Sequence, residues 1–375
     1  MRRFSITHMN IEAAYWIALA HIPQWGYAKI NALIDRFTNT YSLSIEEFFN
    51  LPETDWHHLY ALEPKDIEEL NAAKSELPNN AFLAEQLQNE GYELIPITSP
   101  DYSPALKSNL KIHHAPALLY VKGNRQILQE KSVAIVGSRD ASSISLEFTE
   151  NIAKKATKEF KVVVSGFAKG VDKQALDSAI KYTGQSIIVL PQGIMTFSTG
   201  FKTYYKQIVD GDVLVISVFH PRAPWKAELA MARNPIIYAL ADEIYVAESS
   251  EKGGTWSGVI DGLRKKRKIF VRKPEPTEET ANELLIEKGA IPVNILGSRI
   301  LDESAILAKE MDIEFEKKIL ELLKKGEYTT KDILKRLDMN WSDTKLRDFL
   351  KTQKGIETIN KKPLRYTGKQ QTLFD

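Results

Sequence analysis

The 375-residue chain contains no cysteine, which excludes disulfides, thiolate nucleophiles, zinc ribbons and iron–sulfur clusters together. A reducing cytoplasm suits this composition, and a cytoplasmic location is expected. The first stretch, MRRFSITHMNIEAAYWIALA, is broken by Thr7, His8, Asn10 and Glu12, so it lacks a signal-peptide core, and neither export nor membrane anchoring is expected. Charge of one sign is not in excess either. Fifty Lys and Arg face 49 Asp and Glu, a formal charge of +1, so any basic surface must be local. There is no internal repeat of fixed period, and neither a dinucleotide glycine fingerprint nor a Walker loop occurs. NAD binding and NTP hydrolysis therefore lack their usual support, and no cofactor or metal is expected.

What is present is globular: 43% hydrophobic and 26% charged residues, in a chain long enough for two or more domains. Residues 1–80 read as a small helical domain of helix-hairpin-helix or SAM-like type. AAYWIALA, KINALIDRF and IEEFF carry helical spacing, with breaks at Pro23, Gly26 and Pro52. Ile22 to Lys29 resembles half of a helix-hairpin-helix, with a packing turn at Gly26 as the alternative.

Residues 81–295 hold a lead-in segment and, from 131, short β-branched runs alternating with helical stretches. SVAIV, VVVSG, SIIVL, VLVIS, EIYVA and KIFVR are the strand candidates, giving an α/β fold with a doubly wound, Rossmann-like, mostly parallel sheet. Residues 296–311 read as a linker. Residues 312–368 read as a winged helix, with Thr329 or Thr330 and Ser342 as N-caps. Residues 369–375 read as a flexible tail.

In such a sheet the ligand crevice lies beyond the carboxyl ends of the strands. Three glycine-bearing loops fall there: Gly137-Ser138-Arg139, Ser165-Gly166-Phe167-Ala168-Lys169-Gly170 and Lys252-Gly253-Gly254-Thr255. Glycine admits backbone close to an anion, helix starts supply free amides, and Arg139 and Lys169 add charge, so together the loops describe a phosphate-recognition edge. Taken singly, each loop reads better as a plain turn with Arg139 and Lys169 solvated, and it is the convergence of three that points to anion binding.

SVAIVGSR, VVVSGFAKGVDKQALDSA, QSIIVLPQG, GDVLVIS, the Arg233-Asn234 pair before PIIYALADEIYVAE, and LLIEKGAIPV follow in order the core of the DNA-processing protein A (DprA, or Smf) family. ITSPDYSPALKSNLKIHHAPALLYVKGN resembles the segment leading into that core. The resemblance covers nearly the whole chain. It implies a non-enzymatic protein that binds single-stranded DNA without sequence preference and delivers it to a RecA-type recombinase in natural transformation, usually as a homodimer. The implied DNA contacts are Gly137, Ser138, Arg139, Ser165, Gly166, Lys169 and Gly170, with Arg233, Asn234, Gly253, Gly254 and Thr255 on the same edge. Phe167 is either a stacking platform for a base or a core side chain beneath the loop.

The sequence departs from the family at four places. Ala175-Leu176 stands where the family commonly has Ala-His, and Arg233-Asn234-Pro235 where it has Arg-Asn-Arg. Gly253-Gly254-Thr255-Trp256 replaces Ser-Gly-Ser-Leu, and Pro191-Gln192-Gly193 replaces the usual glycine-rich loop. These changes leave open a nucleotide-signal sensor or a nucleotide phosphoribohydrolase on the same edge. The hydrolase, however, needs a carboxylate shortly after the Gly-Gly loop, and Trp256-Ser257-Gly258-Val259 offers none.

Other signals are weaker. Arg264-Lys265-Lys266-Arg267-Lys268 is either a secondary backbone track or the solvated end of a helix. The pairs His57-His58 and His113-His114 are read as structural, and Asp172 as a helix cap. The winged helix offers Lys345, Arg347, Lys351, Lys361, Lys362 and Arg365 to DNA, or serves protein contacts instead. Gln370, Leu373 and Phe374 resemble the short peptide that docks on the bacterial sliding clamp.

Overall fold

The computed structural model describes residues 2–300, 303–339, 341–353, 355–359 and 363–368. They divide into two compact units, residues 1–299 and 300–375.

The first unit is built on nine strands: β1 (Glu93–Pro96), β2 (Leu118–Lys122), β3 (Ser132–Val136), β4 (Val162–Ser165), β5 (Ser186–Val189), β6 (Val213–Ser217), β7 (Glu243–Val246), β8 (Ile269–Arg272) and β9 (Ile291–Val293). Their order across the sheet is β1-β2-β6-β5-β4-β3-β7-β8-β9. β1 and β2 pair antiparallel, as do β2 and β6, and every other pairing is parallel. The six strand candidates of the core all form strands. ELIP, LLYVK and IPV, not among those candidates, form β1, β2 and β9.

Parallel strands covered on both faces read as continuous apolar runs, and β3 through β6 are buried at every position. Alternation divides their side chains between two layers. Val133, Ile135 and Val163 pack with Phe148, Ile152 and Ala175 on one face. Ala134, Val136 and Val164 join the other layer with Ile188, Val215 and Ile237.

That second layer continues without a break into the N-terminal helices through Trp16, Ile30, Phe37, Phe48 and Trp56. Helix Leu77–Asn89 runs across position 80, where the sequence reading divides the chain. The segment at Gly26 is a packing turn: Trp25 is buried, and its indole donates to Glu69 at 2.6 Å, while Lys29 pairs with Asp66.

Chain direction fixes where a ligand fits. From β3 the chain winds outward through β4 and β5 to β6, then returns along helix Ala227–Leu240 to β7 on the far side of β3. Connections leave the carboxyl ends of β3 and β7 in opposite directions, which opens a crevice between them.

The second unit holds helices Glu303–Leu323, Thr330–Arg336 and Asp343–Thr352, followed by an antiparallel hairpin of β10 (Ile356–Ile359) and β11 (Arg365–Gly368). The first of these helices begins within the stretch read as linker. Thr329, rather than Thr330, caps the second helix in a reciprocal box with Asp332, and Ser342 caps the third. Ile319, Leu323, Ile333, Trp341, Leu346, Leu350 and Tyr366 close a separate small core. Lys345 and Arg347 are each paired with a carboxylate, Asp312 and Asp343. Lys361, Lys362 and the clamp-like Gln370, Leu373 and Phe374 lie outside the described residues. Among those described, no helix is long and apolar enough to cross a membrane.

Candidate functional site

A pocket of about 430 Å³ opens beyond β3 and β7 and brings the three glycine loops together. Gly137, Ser138 and Arg139 form one wall, Gly253, Gly254 and Thr255 another, with Arg233 and Asn234 between them and Ala168 and Asp172 at the base. Hydrogen bonds lace the loops to each other. The Val171 amide donates to the Ser138 carbonyl at 3.2 Å, and the Thr255 hydroxyl donates to the Gly137 carbonyl at 3.1 Å.

The walls carry positive charge. Arg139 and Lys252 are exposed, and among the described residues neither pairs with a carboxylate. Helix Gly254–Arg264 points its N-terminus at the same space, and no side chain caps it. Free amides and the positive end of the helix dipole make this an anion-accepting position. Lys252 lies in a loop the sequence singles out, yet its charge was not assigned to the site there. Lys169 differs from both. It is 80% exposed, lies outside the pocket lining, and pairs with Asp140 at 2.9 Å, which holds the Asp140 carboxyl below its usual range.

Several expected contact residues instead brace the loops from behind. Arg233 is 4% exposed, and its Nη1 donates at 2.6 Å to the carbonyls of both Gly166 and Val189. Its guanidinium therefore ties the β4 loop to the end of β5, and the Arg-Asn signal marks a strut more than a phosphate ligand. Burial pulls this guanidinium down, and the neighbouring Asp172 carboxylate opposes the shift. Ser165 is buried, with its hydroxyl donating to the Asp172 carbonyl at 2.6 Å. Phe167 meets Phe197 and Tyr204 edge-on at 5.0 and 5.7 Å, so its ring is a packing group and not an open platform.

Gly166 is glycine because of that strut. A Cβ there would sit 2.0 Å from Arg233 Nη1. Gly166→Ala is expected to displace the guanidinium and cost about 1–3 kcal/mol, the usual range for overpacking, measured by urea unfolding.

Asp172, in the first turn of helix Val171–Lys181, was read from sequence as a cap. Burial pushes its carboxyl up, against the Arg233 charge and the amides of Ala168 and Gly166, which hold it down. The native chain thus binds this proton more tightly than the unfolded chain does. Its contribution is fully present below the unfolded value of 3.8 and is lost as pH rises through the raised native value. Asp172→Asn is expected to remove this part of the pH slope in unfolding free energy, which begins at 3.8 and extends upward, as measured by urea unfolding across a pH series.

The basic run 264–268 sits at the other end of helix Gly254–Arg264, where Lys265 and Arg267 line an adjoining groove that also takes in Met231, Asn234 and Gly254. It follows the C-terminal end of helix Gly254–Arg264 and leads into the start of β8. Arg264 and Lys265 pair with Asp261, and Arg267 donates to the Ala241 carbonyl. No group of His, Asp or Glu among the described residues is arranged to hold a metal.

Known proteins share this architecture. The chain is 32% identical over 161 residues to the DNA processing protein DprA of Streptococcus pneumoniae, covering 43% of this chain and 56% of that protein. It is 28% identical over 185 residues to DprA of Bacillus subtilis, covering 49% and 61%. The chain thus spans little more than half the length of these relatives. Protein Smf of Synechocystis is 25% identical over 306 residues, covering 76% of this chain and 74% of that one. The crystal structure of DNA processing protein A from S. pneumoniae superposes with a TM-score of 0.60 at 24% identity, covering 76% of this chain and 95% of that one. The family model for DNA recombination-mediator protein A matches residues 93–303, more than half the chain and every strand of the large sheet. The chain therefore belongs to the DNA recombination-mediator protein A family.

Proposed function

We propose that this protein binds single-stranded DNA along the pocket edge, without sequence preference, and passes the strand to a RecA-type recombinase. The observation that carries the reading is the convergence of Arg139, Lys252 and the uncapped start of helix Gly254–Arg264 on one open pocket. Separate cations and backbone amides suit a strand, whose phosphates carry one charge each. Half-exposed Met231 lines the pocket, and Trp225, 53% exposed, stands just before the helix that carries it, so apolar surface for bases lies beside the phosphate contacts. The family description, a recombination mediator, favours the same role.

The finer reading follows from this one. The sheet acts as a Rossmann-like platform and the second unit as a winged helix. The protein works in the cytoplasm as a homodimer, and the tail at Gln370, Leu373 and Phe374 offers a clamp-binding peptide. The test is anisotropy titration of a labelled oligothymidylate across a salt series, with mononucleotides in parallel. Affinity for the strand is expected to fall steeply with salt. Mononucleotide binding without strand binding would overturn the reading.

A further inference from the structure

The rim of the sheet opposite the pocket carries a second basic surface. Helix Ser143–Lys158 starts just past the Gly137 loop and ends at that rim, about 24 Å away at 1.5 Å per residue. There a groove of about 360 Å³ is lined by Asn151, Lys154, Lys155, Lys158, Glu159 and Leu296. Lysines in the last turn of a helix offset its dipole and by themselves require no ligand. Phe160 is not explained that way.

The helix closes with the amide of Phe160 on the Thr157 carbonyl at 3.1 Å and the amide of Lys161 on the Ala156 carbonyl at 2.9 Å. This pattern places Phe160 at the left-handed position where glycine is the usual residue. Phe160 adopts φ 54° and is 91% exposed. The backbone is strained and a large apolar ring stands in water, and neither cost is repaid by packing within the fold. Leu296, across the groove, is 59% exposed.

We infer that this rim is a second contact for single-stranded DNA, with Phe160 stacking on a base and Lys154 and Lys158 meeting the phosphates on either side. Lys154 and Lys158 are one helical turn apart on the same face, and an exposed aromatic beside a cationic track is the arrangement that holds single strands without reading their sequence. Lys155 is partly engaged, donating to the Gly297 carbonyl at 3.2 Å, and Glu159 is paired with Lys161 at 2.8 Å. The inference rests on the strand-binding reading above and extends it: one chain grips a strand at two opposite rims.

The test uses the full chain with labelled oligothymidylates of about 5 and about 20 nucleotides, bracketing common single-strand site sizes. Phe160→Gly is expected to raise the melting temperature by relieving the strained backbone, leave the short probe's affinity unchanged, and weaken the long probe about tenfold. Lys154→Glu with Lys158→Glu is expected to weaken the long probe similarly and flatten its salt dependence. Unchanged long-probe affinity in both rim variants, with binding lost on Arg139→Glu, would overturn the second contact while leaving the pocket reading intact, and would assign the groove to an acidic partner. Equal weakening of both probes would overturn it as well. Binding that survives Arg139→Glu and all rim changes would remove both readings.

Discussion

Charge reversal at Arg139 and Lys252 together is expected to lower affinity for a single strand by about a hundredfold or more. Each charge-assisted hydrogen bond is worth about 1.5–3 kcal/mol, and about 1.4 kcal/mol corresponds to a factor of ten in affinity. Both side chains are exposed and neither forms an ion pair among the described residues, Arg139 acting on the Asp172 carboxyl only through space, so both remain open to phosphate. Single strands release about 0.7 counterion per phosphate neutralised, so the slope of log affinity against log salt should become shallower by about 1.4. Lys169 provides the contrast. Its charge is matched by Asp140 at 2.9 Å, and the combined change Lys169→Gln, Asp140→Asn is expected to alter affinity by about fivefold or less, since exposed pairs contribute under about 1 kcal/mol. Anisotropy at two salt concentrations separates the cases. Equal losses in the two double variants would mean that the pocket wall is not where phosphate sits.

Gly170→Ala is expected to cost about 3 kcal/mol or more of unfolding free energy. Two effects add. Gly170 has φ 82° and ψ −128°, a region essentially reserved for glycine, which costs an L-residue about 1–3 kcal/mol. A Cβ there would also lie 2.4 Å from the Ser138 carbonyl oxygen and 2.5 Å from that of Arg139. Those atoms are backbone, and the Ser138 carbonyl already accepts from the Val171 amide, so the clash cannot be relieved by rotating a side chain. The change should therefore spread the two loops apart, and strand binding should fall along with stability. Urea unfolding at fixed pH measures the first effect. A loss below about 1 kcal/mol would show that the loops are looser than these distances require.

Much of this architecture was legible because its signals are local. VVVS and VLVIS are apolar on both faces, which is what a covered parallel strand needs, and Thr329 and Ser342 mark their helices by cap chemistry. β1, β2 and β9 escape a local reading because they pair at or near the margin of the sheet, and β9 has only three residues. Leu118–Lys122 becomes β2 by lying antiparallel on β6, nearly a hundred residues later in sequence. The division at residue 80 failed to show a break for a related reason: helical periodicity reveals which face is apolar but not what that face packs on. Trp16 and Phe37 share their core with the sheet.

For the site, sequence alone determined that three glycine loops follow strand ends and that Arg139 stands in one of them, because strand and turn propensities are properties of neighbouring residues. The tertiary structure decided the roles. Crossover from β6 to β7 sets the loops around one pocket, burial converts Arg233 into a strut, Phe167 packs half-buried against Phe197 and Tyr204, and Asp140 takes up the charge of Lys169 while Lys252 has no ion-pair partner among the described residues. Whether a cation meets solvent, a carbonyl or a carboxylate depends on residues distant in the chain, and only the folded path of the backbone brings those residues within hydrogen-bonding distance.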